Sequence, residues 1–151
     1  MRHRKAFPSF VERFLEQSRP LSRSFREESV TDILMGGLIT ANQNRVFVEF
    51  PNELVTGADM EWNFVHRKTS RFFRILLQAK RAEGHGKQWK RHAYKHLYHQ
   101  PPTSPLSQVE TICATAAAAS IPTYPLYIFY HSQHTATLAG IASAVSSLSA
   151  W

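Results

Sequence analysis

"TGADMEWNF", residues 56–64, and "SRFFRILLQAK", residues 70–80, decide how this chain folds. Both carry branched and aromatic residues in runs bounded by polar ones, the mark of short strands. "RVFVEF", residues 45–50, alternates in the same way, and the three runs follow one another closely enough for an antiparallel meander, with the second strand read over "EWNFVHR". Side chains on a strand point alternately to its two sides. Asp59 and Glu61 therefore share one face of the second strand, and Gln78 and Lys80 share one face of the third, while Phe73, Ile75, Leu77 and Ala79 point the other way. An apolar core explains the second set and gives no reason for the first. If the two polar faces align, two carboxylates, an amide oxygen and an ammonium converge.

Working outward, "FREESVTDILMGGLITANQ", residues 25–43, repeats Val30, Ile33, Leu34, Leu38 and Ile39 at helical spacing. A shorter amphipathic helix is expected over residues 8–17, with Phe10, Phe14 and Leu15 on one side, ending before Arg19-Pro20. After Lys80 the chain is polar and basic. A helix is expected over residues 88–98, broken by "QPPTSP". Ser107 is placed to cap the Ala-rich helix "SQVETICATAAAAS", because its hydroxyl can accept from the orphan N–H groups of the first turn. "TYPLYIFYH" then reads as a buried strand. The order from residue 25 is helix, strand, strand, strand, helix, strand: an α/β (α+β) domain with a sheet flanked by helices.

The convergent groups suit phosphodiester hydrolysis. Mg²⁺ takes oxygen ligands, keeps several waters, and is held by one or two carboxylates together with substrate phosphate. Asp59 and Glu61 supply carboxylates, Gln78 a neutral carbonyl oxygen, and Lys80 a cation that orients the attacking water or meets charge building on the phosphate.

The helix and strand order, the acid at "GAD" opening the second strand and "LLQAKR" closing the third resemble the PD-(D/E)XK nuclease superfamily. "QAKR" is similar to the Mrr-like restriction endonucleases, in which Gln stands for the acid of the third-strand motif, and to an uncharacterised bacterial group among them. The resemblance covers roughly residues 25–130. It implies a restriction-endonuclease-like αβββαβ core with a mixed central sheet, a metal-dependent endonuclease acting on DNA in restriction or defence, and Mg²⁺ or Mn²⁺ as cofactor. The metal would be held by Asp59, Gln78, Glu61 and Glu27, with Lys80 catalytic. A glutamate of the first helix often joins such sites, and "REESVT" offers Glu27 and Glu28; Glu27 shares its helical face with Val30, Thr31 and Leu34. Many such nucleases cut as homodimers. Two departures stand out: Ala58 replaces the motif's proline, and Gln78 replaces its acid.

Charge points to the same partner. The net charge is +7, and ten of the eighteen Lys and Arg lie in residues 66–98, where Glu83 is the one acid and Trp89, Tyr94 and Tyr98 are interleaved. Arg81, Lys87, Lys90, Arg91 and Lys95 are the expected nucleic-acid contacts. Residues 27–61 reverse the balance, with seven of the eleven acids and one base, Arg45.

A chain of 151 residues with 43% hydrophobic content can bury a core, and is divided here into a basic arm (residues 1–24), a nuclease-like domain (25–131) and an Ala/Ser-rich tail or packing helix (132–151). One cysteine, Cys113, makes no internal disulfide, which fits a reducing compartment, and a cytoplasmic location is expected. Residues 111–151 lack Asp, Glu, Lys and Arg, yet Pro122, Pro125, His131, His134 and many Ser and Thr interrupt them before the roughly 20 apolar residues a membrane span needs. Glu12 and Arg13 break the N-terminal apolar run, so no secretory signal is read. Cys113 reads as core packing, His131 and His134 as loop residues, and His92 with His96 as a solvated helical pair lacking a third ligand.

Two functions fit: a metal-dependent nuclease, and a non-catalytic nucleic-acid-binding module keeping the same fold. Both make binding salt-dependent, since each contacted phosphate lowers the log–log slope of affinity against salt by roughly 0.9 on duplex DNA. Replacing Lys87, Lys90 and Arg91 with Ala is expected to flatten that slope in a fluorescence-anisotropy titration, and an unchanged slope would assign the basic run to solvent.

Overall fold

A single long strand organises the chain. In the computed structural model, which describes residues 6–21, 25–42, 47–66, 68–83, 93–94, 96–132 and 134–135, β3 runs over Arg71–Glu83. The other elements are α1 (Ala6–Ser18), α2 (Glu27–Asn42), β1 (Phe47–Glu49), α3 (Glu53–Thr56), β2 (Met60–His66), β4 (Ala93–Tyr94), α4 (Gln108–Ala118) and β5 (Thr123–Tyr130). The strands form a five-stranded sheet in the order β1-β2-β3-β4, with β5 also paired to β3. β1 with β2, β2 with β3 and β3 with β4 are antiparallel. The Arg74 N–H donates to Pro122 O at 2.9 Å, so β5 starts beside the start of β3 and runs with it, making the sheet mixed. The α+β class, the flanking helices and the expected order are thus observed, with α3 and β4 added.

The chain divides into two compact units, one of Met1–Gly37, Arg81–Lys95 and Phe129–Trp151, the other of Leu38–Lys80 and His96–Ile128. In the second unit the β2–β3 hairpin sets the register: Met60 pairs with Leu77, Glu61 with Leu76, Phe64 with Phe73 and His66 with Arg71. Leu76, Ala58 and Ile112 form a buried cluster, with Ala116 packed against it. Gln108, Ile112 and Ala116 recur every four residues along α4, the helical repeat that lays one stripe inward. Cys113 falls off that stripe and is exposed, so it does not pack in the core as the sequence led us to expect.

Ser107 caps α4 as expected, and more completely: its hydroxyl accepts from the Glu110 N–H while the Glu110 carboxylate accepts from the Ser107 N–H at 2.8 Å, a reciprocal capping box. The Ser107 hydroxyl also donates to that carboxylate at 2.7 Å, and this bond first, then the one from the Ser107 N–H, holds the Glu110 carboxyl below its ordinary pKa. The Gln108 side-chain amide donates to Glu53, tying the first turn of α4 to α3.

In the first unit Val11 and Leu15 of α1 and Val30, Leu34 and Met35 of α2 are buried. Phe14 packs on Phe25 with ring centroids 4.7 Å apart, whereas Phe10 stays exposed. Thr31 and Tyr130 share a buried hydrogen bond of 3.2 Å. The helix expected over residues 88–98 is not formed where it is described. Ala93–Tyr94 is a strand paired with Ala82 and Glu83, and His96 takes a left-handed φ of 61°, which L-residues visit singly and never within a helix. Tertiary packing decides this: the Tyr94 ring lies 4.6 Å from Phe129, and its hydroxyl hydrogen-bonds His131 Nδ1 at 3.0 Å. Residues 88–92 and 95 lie outside the described residues. His131 follows β5 outside any helix or strand, as expected, and is half-buried; burial holds its imidazole below the ordinary pKa, with the Glu12 carboxylate working the other way, whereas His134 is helical and not the loop residue expected.

β5 is not the buried strand expected. Tyr124, Leu126 and Phe129 are exposed, so the run is apolar without being enclosed. Among the described residues no helix is long and apolar enough to cross a membrane.

One glycine is indispensable. Gly57 ends α3 with φ 72°, and a Cβ there would sit 2.6 Å from both Gln108 O and Ile112 N, backbone atoms that cannot swing aside. Gly57→Ala is therefore expected to lower stability in urea unfolding by roughly 2 kcal/mol or more, combining left-handed strain with overpacking, and a loss under about 0.5 kcal/mol would contradict the close approach.

Candidate functional site

Three consecutive residues bring the first acid into place. Gly57 makes the close turn against α4, Ala58 is fully buried beside Leu76 and Ile112, and Asp59 follows as the residue before β2. The Asp59 N–H donates to Leu77 O at 2.9 Å. Its Oδ2 accepts from the Ala79 N–H at 2.6 Å. That nitrogen belongs to the peptide joining Gln78 to Ala79, so the carboxylate is fixed within one residue of both Gln78 and Lys80. The sequence brings these three together through alternation; the structure does so through a carboxylate–amide hydrogen bond, of the strong charge-assisted kind.

Gln78 is fully buried, and neither its amide nitrogen nor its amide oxygen has a hydrogen-bond partner among the described residues. A buried amide left unpaired costs about 1–3 kcal/mol of desolvation. Lys80 is 5% exposed, and no other Lys or Arg among the described residues is buried. The sequence reading gave β3 one apolar and one polar face. In its second half both faces are inside, because Leu76, Leu77, Gln78, Ala79 and Lys80 are all buried.

Glu61 has other company. Cross-strand register sets it opposite Leu76, and its carboxylate reaches back along β3 to Arg74, 3.4 Å away, while Asn63 Nδ2 donates to it at 2.9 Å. Arg74 Nε also donates to Thr123 Oγ1 at 3.3 Å, so the pair ties β2 to β3 and β5. Arg74 was missed from sequence, although the hairpin register, once its turn is placed, puts it diagonally across from Glu61.

In the first unit, Glu27 opens α2 and its Oε2 accepts from the Arg81 N–H at 2.7 Å, while Glu28 is exposed. Helical phase had favoured Glu27 as the inward residue. Arg81 is half-buried; Lys87, Lys90, Arg91 and Lys95 lie outside the described residues. Also unforeseen was Glu12, only 8% exposed on α1, with an unpartnered Oε1 among the described residues. An amphipathic pattern assigns a glutamate to solvent, and nothing local in the sequence marks this one otherwise.

The DUF6615 model, described as a family of unknown function, matches residues 1–151. The chain belongs to the DUF6615 family. No curated protein matches it. Membership assigns no chemistry, so for this DUF6615 chain the site itself carries the functional argument.

The orphaned amide makes a measurable claim. Gln78→Leu keeps the volume and removes the unsatisfied group, and is expected to raise the stability of the metal-free protein by about 1 kcal/mol in urea unfolding. A marked loss of stability would show that the amide already has a partner.

Proposed function

We propose that this DUF6615 chain is a metal-dependent nuclease of the PD-(D/E)XK type that hydrolyses phosphodiester bonds in DNA. The observation that carries the reading is the Asp59 carboxylate held on the Ala79 N–H, between a buried amide without a partner among the described residues and a buried lysine. The Gln78 amide, with no hydrogen-bond partner among the described residues, costs stability where it stands, and such a group beside a carboxylate and a lysine at one strand end suits a reaction site.

The residues fit a hard divalent cation. Among the described residues no three of His, Cys, Asp or Glu come together as a metal-binding group. Few protein ligands are what a Mg²⁺ site needs, because substrate phosphate and water complete its oxygen shell. Asp59 would provide the anionic oxygen and Gln78 Oε1 the neutral one, which satisfies the orphaned amide. A bound Mg²⁺ or Mn²⁺ would supply charge neutralisation at the phosphate and a more acidic water. Lys80 donates to the non-bridging phosphate oxygens as negative charge develops, and its low exposure strengthens that interaction over what water would allow. Glu61, engaged by Arg74 and Asn63, holds the strand pair that carries the site. Of the two glutamates the resemblance offers as a helix-borne acid, Glu27 accepts from the Arg81 N–H within the first unit and Glu28 is exposed. The net charge of +7, concentrated after residue 66, supports a polyanionic substrate.

Purified protein is expected to nick or linearise plasmid DNA with Mg²⁺ or Mn²⁺ and to stop when EDTA is added. Lys80→Ala should lower the rate by roughly 10²–10³-fold, the usual effect of removing one transition-state charge partner, with DNA affinity little changed. Asp59→Ala should remove both cleavage and metal binding, and Gln78→Glu should retain activity. Cleavage by Lys80→Ala at the parental rate overturns the mechanism. DNA binding without cleavage by any form assigns the chain to the non-catalytic binding module instead.

A further inference from the structure

The register that gathers the polar groups of β2 and β3 on one side of the second unit leaves a different surface on the other. Phe64 pairs with Phe73 and His66 with Arg71, so these four side chains share a face. The Phe64 and Phe73 rings are stacked, with centroids 4.7 Å apart and planes 7° from parallel. Tyr124 of β5 meets Phe73 edge-on, 6.2 Å away. Tyr124 is 54% exposed, its neighbour on alternate spacing Leu126 is 50% exposed and Phe73 is 40% exposed. Phe73 thus joins the partly buried Phe64 to Tyr124, and two of the three rings are open to solvent on a sheet, a surface that burial does not explain.

Its surroundings are basic. His66, Lys68 and Arg71 at the end of the hairpin are all exposed, and the chain from Glu61 to Glu83 has no acid between them. Glu61 lies on the opposite side of the hairpin by alternation, paired with Arg74. A protein partner would need complementary apolar and acidic surface. A nucleic-acid strand offers both required features in every residue: a flat base for the rings and a phosphate for the cations. Duplex DNA keeps its bases stacked on each other and presents only their edges, so ring faces select unstacked bases.

We propose that the face formed by Phe64, Phe73 and Tyr124, rimmed by His66, Lys68 and Arg71, binds single-stranded nucleic acid by stacking its bases. The proposal rests on the nucleic-acid part of the function above and is independent of cleavage. The platform holds unpaired strand segments while the phosphates follow the hairpin cations.

The test uses the full chain in EDTA, so that hydrolysis plays no part. Anisotropy titrations compare a fluorescein-labelled mixed-sequence oligonucleotide, a duplex of the same sequence and an oligomer of equal length made of abasic sites. The single strand is expected to bind roughly tenfold or more tightly than the abasic oligomer, the size of one or more base–aromatic stacks. Tyr124→Ala, at a half-exposed position that tolerates truncation, should abolish that preference, Tyr124→Phe should keep it, and Arg71→Gln should weaken both ligands together. Equal affinity for normal and abasic strands, or an unchanged preference in Tyr124→Ala, overturns the proposal. So does sedimentation of the parent as a dimer that Tyr124→Ala converts to monomer, which would assign the face to a second copy. Base preference without cleavage in Mg²⁺ removes the nuclease reading alone, and cleavage without base preference removes the platform alone.

Discussion

The hydrogen bond from the Ala79 N–H to the Asp59 carboxylate is the point at which backbone and site meet. β2 and β3 are paired rung by rung from His66–Arg71 to Met60–Leu77, and beyond that the ladder gives way to a side chain. β3 continues to Glu83 with its backbone served in the next positions by carboxylates: Asp59 on Ala79 and, within the first unit, Glu27 on Arg81. A buried N–H must be satisfied by something. Using Asp59 for the purpose fixes an anionic side chain beside Gln78 and Lys80 in the second unit.

Three adjacent residues make that possible, each for its own reason. Gly57 alone can take the left-handed turn against the α4 backbone. Ala58 fits beneath Leu76 and Ile112, where a larger residue would push α4 away. Asp59 is short enough to reach the neighbouring strand's backbone from the end of its own. Ala58 stands where the resembled motif has proline, and the turn here is made at Gly57. Beside that packing, the Gln78 amide stays where it costs stability. Leu at position 78 would suit the enclosure better, and a residue that breaks the local rule of burial is one to read as functional.

Much of this was legible in the sequence, and the reasons are local. The three strands of the meander, the α2 helix and the Ser107 cap rest on short-range patterns that tertiary context did not override. Alternation alone placed Asp59, Gln78 and Lys80 near one strand end. Other features depended on partners far along the chain. β4 forms because Tyr94 packs on Phe129 and bonds His131, which no window around residue 94 contains. Cys113 is exposed because Ile112 and Ala116 already occupy the helix stripe, a question of phase and not of composition. Hydropathy misjudged β5, since an apolar strand reads the same whether it is enclosed or serves as a surface. Glu61 illustrates the limit of counting acids: its spacing from Asp59 was read correctly as a shared face, but Arg74 and Asn63 hold its carboxylate farther back along the hairpin.

Register links these observations. Arg74, Leu76, Gln78 and Lys80 occupy even positions of β3, and Arg71, Phe73, Ile75, Leu77 and Ala79 the odd ones. Pairing of Met60 with Leu77 aligns Glu61 with the first set and Phe64 with the second. A slip of one residue would carry the phenylalanine stack to the side of Gln78 and set the Glu61 carboxylate among rings, which is why such slips are strongly disfavoured where the two faces differ this much. The aromatic pair, the Glu61–Arg74 pair and the Gly57 turn each oppose that slip at a different point along the hairpin. Holding register is thus the same task as separating the buried polar end of β3 from the exposed aromatic surface, and the residues that do it need not touch a substrate to matter for function.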